Sequence, residues 1–380
     1  MPLLKPLCIS ALLLSSSAFA QTPITLDQAM SNPDWIGTPI ESSWWSADSQ
    51  SVFYRQKLIG SPVRATYQLN SQSGQGQRVE NAAWLQVDDA NLQFDSAHHR
   101  AVFIRQGDVF VRTLSNNQLV QLTKTAEIES SAQFSADGTS VYYRRGNAWF
   151  VWRGNGLTET FLQIKTEANP NQTSKPSAAN EHELRLIATL ARQKQERELL
   201  KQDLDATRLA AGANVATAYL DKTLTISNSS VSPNGRYALV ITQEKDANEG
   251  QADKMPVYVN ESGYVEIEEV RTRVGRNDPT PQSLWLIEIA TQKVSKLDFS
   301  KLAGINTDPL AALRKAQNLD ALNGNRPVRM DFPIVWSADG SQVATLVRAV
   351  DNKDRWLVGV NFSDSTLTTR HRLTDNAWIN

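Results

Sequence analysis

Short apolar runs recur along this chain, and the same small polar turn introduces them. Four copies of the turn are Ser46-Ala47-Asp48, Ser135-Ala136-Asp137-Gly138, Ser232-Pro233-Asn234-Gly235 and Ser337-Ala338-Asp339-Gly340. The runs that follow are Ser51-Val52-Phe53-Tyr54, Ser140-Val141-Tyr142-Tyr143, Tyr237-Ala238-Leu239-Val240-Ile241 and Val343-Ala344-Thr345-Leu346-Val347. Aromatic and β-branched residues suit a pleated strand, and Asp-Gly or Asn-Gly relaxes into the φ > 0 geometry of a tight β-hairpin. Phe94-Asp95-Ser96-Ala97, followed by Ala101-Val102-Phe103-Ile104, reads as a fifth, degraded copy. The early copies lie roughly 40 to 50 residues apart, the spacing of four-stranded propeller blades.

One unit can be followed in detail. Ala132-Gln133-Phe134 leads to the Asp137-Gly138 turn, then Val141 to Arg144, then Arg145-Gly146-Asn147, then Ala148 to Trp152. That is a meander of short strands, not a βαβ unit. The unit before it has the same plan, with Gln106-Gly107-Asp108 as its second turn and Val109 to Val111 as its next strand. The pattern predicts an all-β protein: a β-propeller of four-stranded blades, left incomplete, with a long inserted α-helix.

Two gaps between copies are about twice as long. In the first, Asn180 and Glu183 have the spacing of an N-cap and capping box, Leu184, Ile187, Ala188 and Ala191 follow at helical spacing, and Gly212 suits a C-cap. Arg192 to Glu198 is entirely polar, so the helix predicted at about 176–212 either projects from the blades, rooted by its apolar ends, or is a solvated surface helix without a partner. The second gap holds Met255 to Asn277, the strand Leu284 to Ile289, and a short helix with Asp308 as cap and Pro309 in its first turn. Trp336 then opens another unit, whose inner strands are Val343 to Arg348 and Arg355 to Val360.

The ends change the picture. Lys5, the apolar Ile9 to Leu14 and the small-residue site Ala18-Phe19-Ala20 read as a secretory signal peptide occupying residues 1–20, cleaved after Ala20. It is too short for a spanning helix, and no later stretch reaches the roughly 18 apolar residues of a membrane span. The single cysteine, Cys8, lies inside it, so an exported chain of residues 21–380 is supported without disulfides, as in a bacterial periplasm. The terminal Ala377-Trp378-Ile379-Asn380 is aromatic and apolar where a natural terminus is polar and frayed, which reads as a blade array cut before closing. Net charge of −1 gives no electrostatic case for nucleic acid. The sequons at Asn171, Asn228, Asn260 and Asn361 read as chance matches beside a bacterial-looking leader.

Candidate chemistry is sparse. The sequence contains no Gly-x-Ser-x-Gly elbow, no Gly-x-x-x-x-Gly-Lys loop and no Gly-x-Gly-x-x-Gly. Without a cysteine after the leader, a thiol nucleophile and Cys-ligated zinc are excluded. His98, His99, His182 and His371 form no recognised metal spacing. Alternation places Glu266 and Glu268 on one side of a strand and Glu269 on the other, just before Arg271 and Arg273. Such carboxylates could grip a substrate ammonium, or they could be the solvated face of a strand. Asp351-Asn352-Lys353-Asp354-Arg355 reads as a turn held by its own Asx-type bonds and ion pairs.

Three passages resemble a known family: Tyr264-Val265-Glu266 through Arg271-Thr272-Arg273-Val274-Gly275-Arg276, Val335-Trp336-Ser337-Ala338-Asp339-Gly340, and Asp351-Asn352-Lys353-Asp354-Arg355-Trp356 running on to His371-Arg372-Leu373 and Ala377-Trp378-Ile379-Asn380. They are similar to the N-terminal β-propeller region of the prolyl oligopeptidase family of serine peptidases, its dipeptidyl peptidase IV branch. The resemblance implies a propeller that restricts access to an α/β-hydrolase domain with a Ser-Asp-His triad, which cleaves short peptides. In the dipeptidyl branch a propeller glutamate pair binds the substrate N-terminus. Glu268-Glu269 is an adjacent pair but lies in the wrong neighbourhood for that motif, and Glu181 and Glu183, at the start of the projecting helix, are not adjacent, so no substrate-binding residue is assigned, and no catalytic or metal residue either. The expectation is therefore a chain inactive alone, without a cofactor. Its partners would be the parent enzyme's peptide substrates and the missing hydrolase domain, with no nucleic acid and no membrane span, and an open array would oligomerise. The competing expectation is a non-enzymatic periplasmic β-propeller scaffold that binds a protein or peptide.

Overall fold

The computed structural model describes residues 24–170, 188–211, 215–245, 251–272, 279–375 and 377. The chain divides into two compact units, Met1–Val87 and Asp88–Asn380. The leader, Asn180, Glu181, His182, Glu183, Leu184, Ile187, Gly212, Arg273 and the terminal Trp378-Ile379-Asn380 lie outside the described residues.

In the first unit a short helix, α1 (Leu26–Met30), capped by the Thr25 hydroxyl, precedes one antiparallel meander. Its strands are β1 (Ile40–Trp45), β2 (Ser51–Lys57), β3 (Arg64–Asn70) and β4 (Gly76–Arg78). Phe53 packs with Val79 and Val87 beneath Trp44, a small core of its own.

The second unit repeats that plan four times. The second sheet comprises β5 (Gln93–Phe94), β6 (Arg100–Arg105), β7 (Asp108–Thr113) and β8 (Gln118–Gln121). The third comprises β9 (Glu129–Phe134), β10 (Ser140–Arg145), β11 (Ala148–Arg153) and β12 (Thr158–Thr166), to which β13 (Ala216–Leu220) adds as a parallel fifth strand. The fourth is built from β14 (Leu224–Val231), β15 (Tyr237–Glu244), β18 (Gln282–Glu288) and β19 (Lys293–Lys296). Between β15 and β18 a separate ribbon, β16 (Asp253–Val257) and β17 (Glu266–Val270), pairs only with itself. The fifth sheet is β20 (Val328–Trp336), β21 (Val343–Ala349), β22 (Asp354–Asn361) and β23 (Thr366–Thr374).

Burial explains why these sheets stack. Ala238, Leu239, Val240 and Ile241 of β15 are all fully buried, so both faces of that strand are covered. Leu239 and Ile241 join a core with Val343, Val347, Trp356 and Val358 of the fifth sheet. Ala238 and Val240 point the other way, into a core with Trp149, Val151, Leu162 and Ile164 of the third sheet. In β10 the same alternation sends Val141 and Tyr143 toward the second sheet and Tyr142 toward the fourth. Period-two side chains thus make each central sheet the filling between its neighbours in the chain.

Four of the five turns use one hydrogen-bond scheme, and the fifth replaces its serine with a carboxylate. In the third sheet the Ser135 hydroxyl donates to Asp137 Oδ1 at 2.6 Å and accepts the Ser140 N–H at 2.9 Å, while Asp137 Oδ1 also accepts the Thr139 N–H at 3.0 Å. Ser46–Asp48, Ser232–Asn234 and Ser337–Asp339 repeat these bonds. The residue three after each leading position has positive φ: Ser49 at 58°, His98 at 54°, Gly138 at 69°, Gly235 at 67° and Gly340 at 68°. The positive φ expected at the Asp-Gly and Asn-Gly turns is present at their glycines. The left-handed residue is a glycine in three turns and Ser49 or His98 in the other two, while the preceding Asp or Asn caps the loop in four of them. The fifth copy is also resolved: Asp95 stands at the serine position, and its Oδ1 accepts the N–H of His99 and of Arg100.

Three further expectations need adjustment. The long helix is present as α2 (Ala188–Ala210), between β12 and β13, but Leu199, Leu200 and Leu204 are exposed on it. The short helix α3 (Ala311–Ala316) begins after Leu310. Asp308 instead accepts the Leu310 N–H, because Pro309 keeps the preceding residue out of helical geometry. Trp336 ends rather than opens its unit's first strand, and Val343 to Arg348 and Arg355 to Val360 fall in the two middle strands.

Candidate functional site

The first strand of each sheet in the second unit, β5, β9, β14 and β20, is an edge strand, and these four line two adjoining cavities, here called the channel. The regular 2.0 period fails along three of them. Register slips between Gln133 and Ser130 in β9, where Ser131 has φ 56°, between Ile226 and Asn228 in β14, and between Asp331 and Val335 in β20. Pro333 sits inside the last slip, as expected for a residue that cannot donate to a ladder. Bulges re-aim side chains, and here they turn strand residues toward a space instead of a neighbouring sheet.

That space comprises two cavities of about 480 and 300 Å³ that share Gln93, Gln133, Pro333 and Ile334. Phe94, Val335 and Trp336 give the larger one an apolar side. Phe94 stacks on His98 with ring centroids 5.3 Å apart. Ser131, Trp149, Asn228 and Ser230 line the smaller one. Its walls are joined across sheets: Gln133 Nε2 donates to the Val231 carbonyl at 2.6 Å, Arg144 to Asn228 Oδ1 at 2.7 Å, Trp149 Nε1 to Ser229 Oγ at 2.9 Å and Trp336 Nε1 to Ser230 Oγ at 2.8 Å. Burial holds the Arg144 guanidinium below its usual pKa. The channel offers aromatic surface with neutral amide and hydroxyl groups, which suits polypeptide more than a charged metabolite.

The turn serines at the mouth resemble nucleophiles paired with carboxylates, but their chemistry is structural. Hydrogen bonds from the Ser337 hydroxyl, the Ser341 N–H and the Ser341 hydroxyl hold the Asp339 carboxyl at about 2. So acidic a group is a poor general base at neutral pH. Asp137 is lowered in the same way, first by Ser135. At Asp95 burial pushes the pKa up, but the N–H groups of Arg100 and His99 and the Arg100 guanidinium outweigh it. No three His, Cys, Asp or Glu side chains among the described residues are grouped to hold a metal ion.

The other singled-out residues lie elsewhere. Glu266, Glu268 and Glu269 are exposed on β17, opposite Val257, Met255 and Lys254 of the ribbon, and they do not line the channel. His99 and His371 are exposed. Asp351 to Arg355 forms a turn, with Asp351 Oδ1 accepting the Lys353 N–H, but its principal partner is remote in sequence. Buried Arg326 reaches Asp351 at 3.2 Å, Asp354 at 2.5 Å and the Gly304 carbonyl at 3.0 Å, and lies over Trp356. Arg372 donates to the other oxygen of Asp354 at 2.7 Å. Burial raises the Asp354 pKa, yet Arg372, Thr374 and Arg326 together hold it below its usual value. The cluster ties the 297–327 connection to the fifth sheet. The channel residues escaped sequence reading, although a proline inside a strand-like run at Pro333 was the available signal.

By its architecture the chain is an all-β protein of propeller-type blades. No family model matches it, and no curated protein matches it. Among solved structures it is similar to Porphyromonas gingivalis dipeptidyl peptidase 4, at 11% identity over 93% of this chain and 42% of that one, with a TM-score of 0.42. A structure named dipeptidyl aminopeptidase IV from Bacteroides ovatus gives 11% identity, 90% and 39% coverage and a TM-score of 0.37. TolB from Acinetobacter baumannii gives 12%, 89% and 55%, and 0.36. The first two bear the name of the branch whose N-terminal region the sequence resembles, and the chain spans about two-fifths of their length. Likeness at these scores carries no argument about activity. No helix among the described residues is long and apolar enough to cross a membrane.

Proposed function

We propose that this chain is the propeller portion of an exported serine peptidase of the dipeptidyl peptidase IV type, gating the entry of short peptides and inactive by itself. Hydrolysis would be supplied by an α/β-hydrolase domain outside these 380 residues, and export by the leader at residues 1–20. The observation that carries the reading is the blade repeat: the sheets follow in chain order, each with the same turn between its first and second strands, and in the second unit the first strands line two adjoining cavities. The channel's aromatic and amide groups suit passage of peptide, and the Asp339 carboxyl, held at about 2 in its turn, is a poor base for activating a nucleophile. In this reading the unpartnered sheet edges favour self-association.

The purified chain is expected to hydrolyse no Xaa-Pro chromogenic substrate. Turnover that follows the protein through successive columns would overturn the proposal. A second reading, a non-enzymatic scaffold that binds peptide in the same channel, is favoured by the capped turn carboxylates. The DNA downstream of residue 380 separates the two: an open frame leading to Gly-x-Ser-x-Gly supports the peptidase portion, and a stop followed by an unrelated gene supports the scaffold.

A further inference from the structure

On the fifth sheet the ladder places Arg329 opposite Arg348 and Arg348 opposite Arg355, so three guanidiniums occupy one cross-strand row. Like charges directly opposite one another repel, and such a row calls for counter-charge. The adjacent row of the same face carries one carboxylate, Asp331, followed by Leu346, Leu357 and His371. Arg329 is engaged elsewhere, donating to the Thr280 carbonyl at 2.6 Å. Arg348 Nε lies 3.5 Å from one Asp331 oxygen and Arg355 Nε 3.6 Å from the other. Both Nε atoms are buried without a hydrogen-bond partner. Asp331 thus straddles two forks and satisfies neither, while the two side chains remain 31% and 24% exposed.

We propose that Arg348 and Arg355 form a binding site for the carboxylate of an acidic residue in a peptide. A planar carboxylate matches the guanidinium fork in two parallel bonds. Retained Asp331 disfavours a dianion such as phosphate while leaving room for a monoanion. Leu357 and Leu373, 37% and 48% exposed, flank Arg355 along and across the sheet and favour apolar residues beside the acidic one. The proposal rests on this sheet alone and is independent of any peptidase role.

The test is a calorimetric titration of the full chain with acetyl-Leu-Glu-Leu-amide, its Gln counterpart and inorganic phosphate. The Glu peptide is expected to bind, to weaken as salt rises, and to bind at least about ten-fold better than the Gln peptide. R348Q and R355Q should each lose about ten-fold in affinity, and D331N should gain, since it removes the competing carboxylate. Circular dichroism checks that each variant is folded. If R348Q does not fold, Arg348→Lys keeps the charge, removes the fork and is expected to weaken binding. No binding of the Glu peptide at low salt, equal binding of the Gln peptide, tighter binding of phosphate, or unchanged affinity in folded variants would each overturn the proposal.

Discussion

Gly138 and Gly340 occupy the same place in the same turn, with φ of 69° and 68° and the same serine and aspartate caps, yet they face different surroundings. A Cβ at Gly138 would come no closer than 3.3 Å to a neighbour, the tip of the Arg100 side chain. At Gly340 it would fall 2.7 Å from the backbone nitrogen of Asn234, inside the turn of the preceding sheet. An L-residue in left-handed geometry costs about 1–2 kcal/mol. Reduced freedom of the unfolded chain returns roughly 0.4–1 kcal/mol of that. Gly138→Ala should therefore destabilise by about 1 kcal/mol. Gly340→Ala adds an overpacking cost of about 1–3 kcal/mol, because a backbone atom cannot rotate aside as a guanidinium can.

The expected totals are about 1 kcal/mol for Gly138→Ala and about 2–4 kcal/mol for Gly340→Ala. Urea unfolding of the full chain, followed by tryptophan fluorescence, reads the difference, since Trp149, Trp336 and Trp356 lie in or beside the stacked cores. Equal costs, within about 0.5 kcal/mol, would refute the reasoning. They would mean that the glycine answers only to its own backbone and that the turns of adjacent sheets do not touch.

Two further outcomes follow from the buried and capped carboxylates. Arg326→Met leaves buried Asp354 with Arg372 and Thr374 alone, and should cost about 3 kcal/mol at neutral pH. The folded-state pKa of Asp354 is depressed, so its pairing stabilises above the unfolded value near 3.9 and is lost below it. The cost of Arg326→Met should shrink as pH falls from 6 toward 3, and a pH-independent cost would count against the pairing. Asp339 titrates at about 2, so the stability from its caps is present above the unfolded value near 3.9 and is lost as pH falls through about 2. Ser337→Ala removes the leading cap and should raise the Asp339 pKa, as read by carbon-detected NMR titration; an unmoved titration would show that the hydroxyl does not cap.

The blades were legible because their signal is local. Strand alternation, turn residues and repeat spacing all lie within short windows, and the four-strand meanders appear where the turns place them. Reading failed where the deciding partner is distant. Asp351 to Arg355 reads as a self-contained turn until Arg326, 25 residues before Asp351, closes on it. Asp95 reads as the second residue of a worn turn, but its hydrogen bonds put it in the leading position, where one carboxylate does the work of a serine hydroxyl. The Arg348–Arg355 row requires the register of two adjacent strands, which no single window contains.

The first strands of the second unit separate architecture from capacity. β15 is covered on both faces, and its alternation leaves nothing to present, whereas β21 and β22 of the last sheet keep Arg348 and Arg355 part-exposed. Edge strands carry the slips at Ser131, at Asn228 and around Pro333, and the residues released there line the channel. A polar side chain at positions 238–241 of β15 would face a packed core, where an unpartnered group costs about 1–3 kcal/mol, whereas one on a bulged edge strand meets solvent or a ligand. The cavities therefore take their lining from irregular edge strands, and variation in what they admit is expected at the slips rather than at the Ser-x-Asp-Gly turns.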